Sequence, residues 1–201
     1  MKTFYTTLFS FLAFATISMA QTQWELVKNK DGIKVFNRRI EGSKLKEFKA
    51  NVIIKATVND VVKVLSNPGN HDKFMYKAKK GSVEIVKKDS NGDFYTYMII
   101  ETPWPASNRD LVTKYHKEAP DKDGTIIINV SAVNNMKPEI RGNVRVESMK
   151  GYWKVTPLAN NMVEVTHQAY SSPGGNVPDG LANSASVDAP FQMLESLRKL
   201  F

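Results

Sequence analysis

The sequence predicts an α+β fold, in which a strongly curved antiparallel β-sheet wraps around a long C-terminal α-helix and leaves an internal hydrophobic cavity. Two observations carry this prediction. Turn dipeptides of the hairpin type separate successive apolar runs in the middle of the chain, at Asn91-Gly92, Asp123-Gly124 and Asn160-Asn161. The last segment instead repeats apolar residues at helical spacing. A helix this apolar must pack against a large partner, and the concave face of the sheet is the one available.

The N-terminal segment has the pattern of a secretory signal peptide. Lys2 is its only charge, residues 8–17 are almost wholly apolar, and Ser18-Met19-Ala20 supplies small residues at the expected cleavage site. We therefore expect a signal peptide at residues 1–20, cleavage after Ala20, and one exported domain at residues 21–201, periplasmic or secreted. An uncleaved N-terminal anchor is the alternative. The chain has no cysteine, which excludes disulfides and a lipid-modified cysteine.

The predicted elements follow in chain order. Alternating apolar residues predict strands at residues 32–36 and 45–54. Thr57 is an expected N-cap for a short amphipathic helix that ends at Pro68-Gly69. The hairpins then pair residues 83–86 with 94–100, 111–116 with 125–132, and 144–155 with 162–170. Short turns between sequential strands make an antiparallel meander.

Two further segments interrupt or follow this meander. Residues 133–143 are too irregular for a strand or a helix, and long loops of this kind are often functional lids. Met136 and Pro138 would give this lid an apolar surface. After Pro173-Gly174-Gly175, Pro178 can occupy the first turn of a helix that runs towards Phe201. Pro190 is expected to kink this helix or to remove one of its hydrogen bonds.

A strap is predicted between two of the strands. Pro103 and Pro105 remove two backbone donors, so the segment cannot be an ordinary central strand. We expect it to cross the rim of the sheet, with Trp104 folded back as a plug. The strand that follows begins with Arg109-Asp110.

Three blocks resemble the START (StAR-related lipid-transfer) domain in order and spacing: "PWPASNRDLV", "GNVRVESMKGYWKVTP" and "SSPGGNVPDGLAN". The phosphatidylcholine-transfer-protein-like branch is nearest, and the likeness covers essentially the whole chain after residue 20. The resemblance implies the helix-grip fold, as in the birch-pollen allergen, and a hydrophobic tunnel that binds one lipid. Sterol-binding members place a charged pair in this tunnel, where this chain has Thr96 and Tyr115. Sterol specificity is therefore not carried over.

Arg109 is the most informative polar candidate. Strand alternation places it on the same inward face as Tyr115. A buried guanidinium needs a partner, because an isolated buried charge is costly. The partner is either a carboxylate, Asp110 or Glu101, that braces the strap through bidentate hydrogen bonds, or the head group of a lipid.

The remaining candidates are apolar, aromatic or small. The alternation of residues along its strand predicts that the His167 side chain points inward. There it is either a ligand contact or a hydrogen-bonded core residue. Trp153 is a core or cavity-wall residue on the strand before. The full set of cavity candidates is Arg109, Tyr115, Trp153, His167, Met136, Pro138, Leu181 and Ala185, and the strap candidates are Pro103, Trp104, Pro105 and Asp110.

These observations predict a monomeric carrier that binds one phospholipid, fatty acid or sterol-like lipid outside the cytoplasm. The net charge is +8, or +7 without Lys2, and the excess of lysine is either an ordinary solvated surface or a contact with an anionic membrane surface as a second partner. Nucleic acid is not expected, since no zinc-knuckle, basic-helix or RNA-binding aromatic pattern occurs. No cofactor or metal is expected either, since His71, His116 and His167 lack metal-ligand spacing. The alternatives are a cyclase- or hydrolase-like helix-grip enzyme acting on a hydrophobic metabolite, and a partner-binding module whose cavity is filled by side chains.

Overall fold

A computed structural model of the protein describes residues 23–175 and 177–201, so the predicted signal peptide lies outside the described residues. In chain order the elements are β1 (Glu25–Lys30), β2 (Ile33–Arg39), β3 (Lys46–Ile54), α1 (Val58–Leu65), a 3-10 turn (Pro68–Asn70), α2 (His71–Phe74), β4 (Glu84–Lys88), β5 (Phe94–Ile100), β6 (Asn108–Lys117), β7 (Ile126–Ala132), β8 (Asn143–Arg145), β9 (Ser148–Leu158), β10 (Met162–Ser172) and α3 (Asp179–Arg198). Of the helices in this part of the chain, none combines the length and hydropathy that a membrane crossing requires.

The strands of the described residues form one sheet, in the order β1-β2-β3-β10-β9-β7-β6-β5-β4. Each neighbouring pair on this path is antiparallel. The pairing of β3 with β10, with Val52 opposite Val165, joins the N-terminal strands to the end of the meander. The structure therefore confirms the α+β fold and the three predicted hairpins.

Two stretches of regular structure were not predicted. β1 is almost wholly exposed and lacks the apolar alternation that identifies a half-buried strand. The helix that was predicted to end at Pro68-Gly69 ends at Leu65 instead. A 3-10 turn and the single turn of α2 follow it. Both are too short for helical periodicity to be visible. α1 itself begins as expected, since the Thr57 hydroxyl accepts a hydrogen bond from the Asp60 amide over 3.2 Å.

The predicted strand at residues 144–155 is interrupted. β8 ends at Arg145, and β9 starts at Ser148. β8 leaves the meander to pair parallel with β6, with Val144 opposite Arg109. The Val146 amide then donates to the Asp110 carbonyl over 2.9 Å. The interruption therefore places the start of this segment beside the start of β6.

α3 continues through Pro190, and Pro178 is its N-cap rather than a residue of its first turn. Pro190 has no amide hydrogen, so the carbonyl of Ser186, four residues earlier, lacks its usual helical donor. The side chain of Asn37, on β2, lies beside that carbonyl and is 2% exposed. With its amide oriented to satisfy both ends, Asn37 donates to the Ser186 carbonyl over 3.2 Å and to the Phe36 carbonyl over 3.0 Å. The sheet thus supplies the hydrogen bond that proline removes from the helix.

The main core lies between the sheet, the second half of α3 and the two short helices. Leu194 and Leu197 are fully buried there. Phe74 of α2 meets Trp153 of β9 edge to face, with 5.9 Å between ring centroids. A smaller cluster at the other end of β5 and β6 contains Met98, Leu111 and Val146.

Candidate functional site

An apolar cavity of about 250 Å³ lies between the first half of α3 and one end of the sheet. Its helix side consists of Leu181, Ala182, Ser184, Ala185, Ser186 and Ala189. Its sheet side includes Phe48 of β3, Ile100 of β5 and Arg109 of β6, together with Val146 and Pro173. Exposed residues at its border include Lys77, Glu101 and Pro103.

The small side chains of α3 account for the cavity. Between residues 181 and 189 the helix presents mainly alanine and serine to the sheet. Their side chains are too short to fill the space between helix and sheet. In the following turns Phe191, Met193, Leu194 and Leu197 fill that space and are buried. The same helix therefore closes the core at one end and leaves a cavity at the other.

Arg109 lies in the wall of this cavity and is 5% exposed. Its Nη1 donates to the Ser107 carbonyl over 2.5 Å, while Nε and Nη2 donate to the carbonyls of Pro173 and Gly174 over 3.4 and 3.3 Å. All of these partners are neutral. The expected brace between Arg109 and a carboxylate is therefore wrong, and the guanidinium instead joins the strap to the loop that precedes α3.

The loop before α3 approaches β8 so closely that one position requires glycine. Gly174 has a φ of +69°, in the left-handed region that favours glycine. A Cβ atom there would lie 2.5 Å from the Arg145 carbonyl. The Pro-Gly-Gly segment thus brings the carbonyls of Pro173 and Gly174 within reach of Arg109.

Asp110 does take part in a buried ion pair, but with Arg145. Nε and Nη2 of Arg145 donate to Oδ1 and Oδ2 of Asp110 over 2.7 and 3.2 Å. The Asp110 side chain is 1% exposed. The Tyr97 hydroxyl donates to the same Oδ2 over 3.2 Å, and burial, followed by the nearby Asp110 charge, raises the pKa of Tyr97 to about 12. The carboxylate beside Arg109 in sequence is therefore already satisfied.

Arg145 also holds the loop that was expected to be a lid. Its guanidinium donates to the carbonyls of Lys137 and Pro138 over 3.0 and 3.1 Å. Lys137 in turn pairs with Glu84 of β4. Neither Met136 nor Pro138 is among the residues that line the cavity. This loop is anchored to β8 and β4, and none of its residues is among the described residues that line the cavity.

Trp104 does not fold back as a plug. Its side chain is 92% exposed, whereas Pro103 borders the cavity. The strap is closed by a hydrogen bond from the Ala106 amide to the Pro103 carbonyl over 3.1 Å. This turn directs the indole away from the sheet and places an exposed aromatic ring next to the cavity border.

Three aromatic candidates lie in the core and do not line the cavity. Trp153 is 2% exposed and stacks on His167 with 3.8 Å between ring centroids. His167 is neutral, because burial lowers its pKa to about 4, and its Nδ1–H donates to the Tyr152 carbonyl over 3.0 Å. Tyr115 stacks on Phe94 at 4.6 Å, and burial raises the pKa of its hydroxyl. Of the cavity candidates, the structure brings together Arg109, Leu181 and Ala185.

Several cavity residues were not proposed from the sequence. Phe48 belongs to the alternating face of β3, so its inward direction was visible in the pattern. Tyr76 and Lys77 follow α2 and have no periodic signal. Lys77 adopts a φ of +49°, and its carbonyl accepts a hydrogen bond from the Glu101 amide over 2.9 Å. This contact between distant segments fixes the cavity border and leaves no local signature.

Charged groups in the wall are few. Among the described residues, no group of three or more His, Asp or Glu side chains could hold a metal ion. Among the described residues that line the cavity, the charged side chains are Lys46, Lys77, Glu101 and Arg109, and none is a histidine. The site can therefore enclose an apolar molecule, and Arg109 in its wall and the charged residues at its border can contact a polar end of that molecule.

Sequence comparison relates the chain to a known family over almost its full length. A sequence model of the START domain matches residues 14–198. An uncharacterized protein of Pseudomonas aeruginosa is 35% identical over 175 residues, covering 87% of this chain and 85% of that protein. The phosphatidylcholine transfer protein of Rattus norvegicus is 23% identical over 185 residues, covering 90% of this chain and 85% of that protein.

Solved structures agree with this assignment. The STAR-related lipid transfer protein of Xanthomonas axonopodis has a TM-score of 0.80 and 40% identity, covering 88% of this chain and 97% of that one. Human StAR-related lipid transfer protein 5 has a TM-score of 0.77, covering 88% of this chain and 85% of that one, and at 18% identity it shows the fold alone. The chain therefore belongs to the START domain family, a family of lipid-binding and lipid-transfer proteins.

Proposed function

We propose that this protein binds one lipid molecule in the cavity beneath the first half of α3 and carries it between membranes outside the cytoplasm. The observation that carries the proposal is the apolar cavity itself, which α3 leaves open by presenting small residues to the sheet. Membership of the START domain family supports a lipid as the occupant. Relatives named for phosphatidylcholine transfer and lipid transfer support the same class of ligand.

The energetics favour an enclosed site over a surface groove. Each methylene taken from a membrane into water costs about 0.8 kcal/mol, so a chain of about fifteen costs on the order of 12 kcal/mol. A carrier must offset most of this transfer free energy by surrounding the acyl chain with apolar side chains. The cavity of about 250 Å³ is below the roughly 300–1,000 Å³ of pockets that enclose drug-sized ligands. Binding of a whole lipid therefore requires the cavity to widen, and an outward movement of α3, with its small contact residues, is the change that we propose.

An anionic membrane surface is the second proposed partner. Trp104 is 92% exposed, and Lys46 and Lys77 line the cavity that its neighbour Pro103 borders. Tryptophan favours the interface between water and lipid, and a lysine near an anionic surface contributes about 1 kcal/mol. This side of the molecule would bring the cavity to the membrane from which the lipid comes. Export through the signal peptide at residues 1–20 is part of the same proposal.

The catalytic alternative has less support. His167 is the histidine that the sequence places on an inward face, where an acid-base catalyst would be needed. It is neutral, stacks on Trp153 and does not line the cavity. An acid-base catalyst needs a titratable group within reach of the substrate. Of the described residues that line the cavity, Glu101 is the one carboxylate, and it is exposed.

Transfer of a fluorescent phospholipid or fatty acid between vesicles tests the proposal. We expect wild-type protein to accelerate transfer, and Ala185→Trp to lose most of this activity because the indole fills the cavity. Gln192→Trp is the matched control, since it adds the same side chain to an exposed position of α3. Equal transfer by the two variants, with both folded, would show that the cavity is not the carrier site. Consumption of the lipid instead of transfer would favour the catalytic alternative.

A further inference from the structure

We propose that the cavity selects lipids that carry an anionic group, a carboxylate or a phosphate, and that the guanidinium of Arg109 binds this group. The inference rests on the proposed function and names its substrate class. It starts from a charge for which the described residues provide no counter-ion.

Arg109 is buried but has only neutral partners among the described residues. Its side chain is 5% exposed, and its hydrogen bonds go to the backbone carbonyls of Ser107, Pro173 and Gly174. Arginine keeps its proton in proteins, although burial lowers the pKa of this one. A buried cation without an anion is costly, so this position has a strong reason to attract one.

The two acidic residues that the sequence offers as partners of Arg109 do not provide that anion. Asp110 follows in sequence, but Arg145 occupies both of its carboxylate oxygens. Glu101 lines the same cavity, yet it is exposed and forms no ion pair with Arg109. The side chain of Arg109 instead forms part of the cavity wall, where a bound molecule can reach it.

The hydrogen-bonding capacity of Arg109 is also incompletely used. A guanidinium has five N–H groups. Nε, Nη1 and Nη2 each use one, towards Pro173, Ser107 and Gly174. One N–H on each terminal nitrogen is thus left for a ligand. Carboxylates and phosphates are the groups that bind two arginine donors at once, because their oxygens match the spacing of the fork.

Most of the charged side chains that line the cavity have the same sign as Arg109. Lys46 and Lys77 also line it, against the single acid Glu101 among the described residues. This excess of positive charge favours the entry of a negatively charged head group. The shape and the charge therefore point to a molecule with an apolar chain and one anionic end.

Binding of matched single-chain lipids tests this without any mutation. Delipidated wild-type protein is titrated with palmitic acid, with hexadecanol and with methyl palmitate at a pH at which the acid is ionised. We expect the acid to bind roughly tenfold or more tightly than either neutral compound. Equal affinities would overturn the inference while leaving lipid binding itself established. Failure of all three to bind would overturn both proposals.

Two-chain lipids separate the possible sources of the anion. Phosphatidic acid carries an exposed phosphate, whereas phosphatidylcholine covers its phosphate with a cation. Preference for phosphatidic acid over phosphatidylcholine, together with preference for palmitic acid over methyl palmitate, supports recognition of the anion as such. Preference for phosphatidylcholine over phosphatidic acid would contradict the inference.

Variants then assign the effect to Arg109. We expect Arg109→Gln to abolish the preference for the acid, and Arg109→Lys to keep part of it because the charge remains. Lys117→Gln is the matched control, since it removes an exposed cation from the other end of β6, outside the cavity lining. Loss of the preference in Lys117→Gln, or its survival in folded Arg109→Gln, would show that Arg109 is not the anchor.

Discussion

The two halves of α3 show how one helix can serve opposite purposes. From Pro190 onward its large apolar side chains are buried, with Leu194 and Leu197 fully enclosed. We call this the sealed half. From Leu181 to Ala189 the same helix presents mainly alanine and serine to a cavity of about 250 Å³. We call this the open half, and the difference teaches that the volume of a few side chains decides where this fold leaves a site.

The start of β6 shows the same contrast for charge. Asp110 is enclosed with Arg145, with oxygens and donors matched at 2.7 and 3.2 Å. Arg109, the residue before it, reaches only backbone carbonyls and lies in the cavity wall. The Arg145–Asp110 pair therefore stabilises the fold, whereas Arg109 is part of the candidate lipid site.

The largest loss of stability is expected from Arg145→Met. Removal of one partner leaves the Asp110 carboxylate buried without its cation, which costs about 3–5 kcal/mol. Denaturant unfolding would measure this change. The double variant Arg145→Met with Asp110→Leu should recover much of it, because no charge is then left buried. Equal stability of the single variant and wild type would mean that the pair does not hold this end of the sheet.

Leu194→Ala probes the sealed half. The side chain is fully buried, so its truncation should cost about 2–5 kcal/mol through lost burial and a new cavity. The unfolding midpoint measures the loss, and Gln192→Ala at an exposed position of the same helix should change stability by less than about 0.5 kcal/mol. At temperatures where the variant is folded, lipid affinity should be unchanged. A variant that loses lipid but not stability would contradict the division of the helix.

Acid should destabilise the protein through His167, which stacks on the core residue Trp153, over a defined pH window. Burial lowers the pKa of His167 to about 4, from an ordinary value of 6.5. Between these pH values the imidazole of His167 is protonated in the unfolded chain but not in the native protein. The free energy of unfolding therefore falls as the pH falls from 6.5 towards 4. The full loss is about 3 kcal/mol. His71, whose pKa is also lowered by burial, adds a change of the same sign.

Unfolding free energies at pH 7 and pH 4.5 measure this effect. His167→Phe should show a smaller decrease between the two values, because the titrating group is gone. Asp93 provides a separate window at lower pH. Hydrogen bonds from Lys114 and His116 lower its pKa to about 2, so its contribution is complete above pH 3.8 and is lost only below that. A stability that is constant from pH 7 to pH 4.5 would be inconsistent with a neutral, buried His167.

The smallest change in stability is expected at Trp104. Because the indole is 92% exposed, Trp104→Ala should alter the unfolding free energy by less than about 0.5 kcal/mol. Binding to vesicles that contain anionic lipid should nevertheless decrease, as measured by co-sedimentation. Leu158→Ala, at an exposed position on β9, is the control and should bind vesicles like wild type. Vesicle binding that Trp104→Ala leaves intact would remove the strap from the proposed membrane contact.

The sequence predicts those parts of the molecule that depend on neighbouring residues. The hairpins follow from Asn91-Gly92 and the other turn dipeptides, and α3 follows from its apolar spacing. The positions of Trp104 and the partner of Asp110 could not be predicted in the same way. Arg145 reaches Asp110 only because β8 pairs with β6, a contact between segments far apart in the chain. Alternation correctly placed Arg109 inward, but it does not identify the carbonyls that would surround it.

Native mass spectrometry of the protein purified from its own host tests the central claim most directly. We expect one adduct of lipid mass per chain, released on denaturation and absent from Ala185→Trp, while Gln192→Trp retains it. This result would place a single lipid in the cavity of the open half. A mass without an adduct, unchanged after incubation of the folded protein with mixed lipids, would contradict the account. An identical adduct on Ala185→Trp would place the lipid elsewhere.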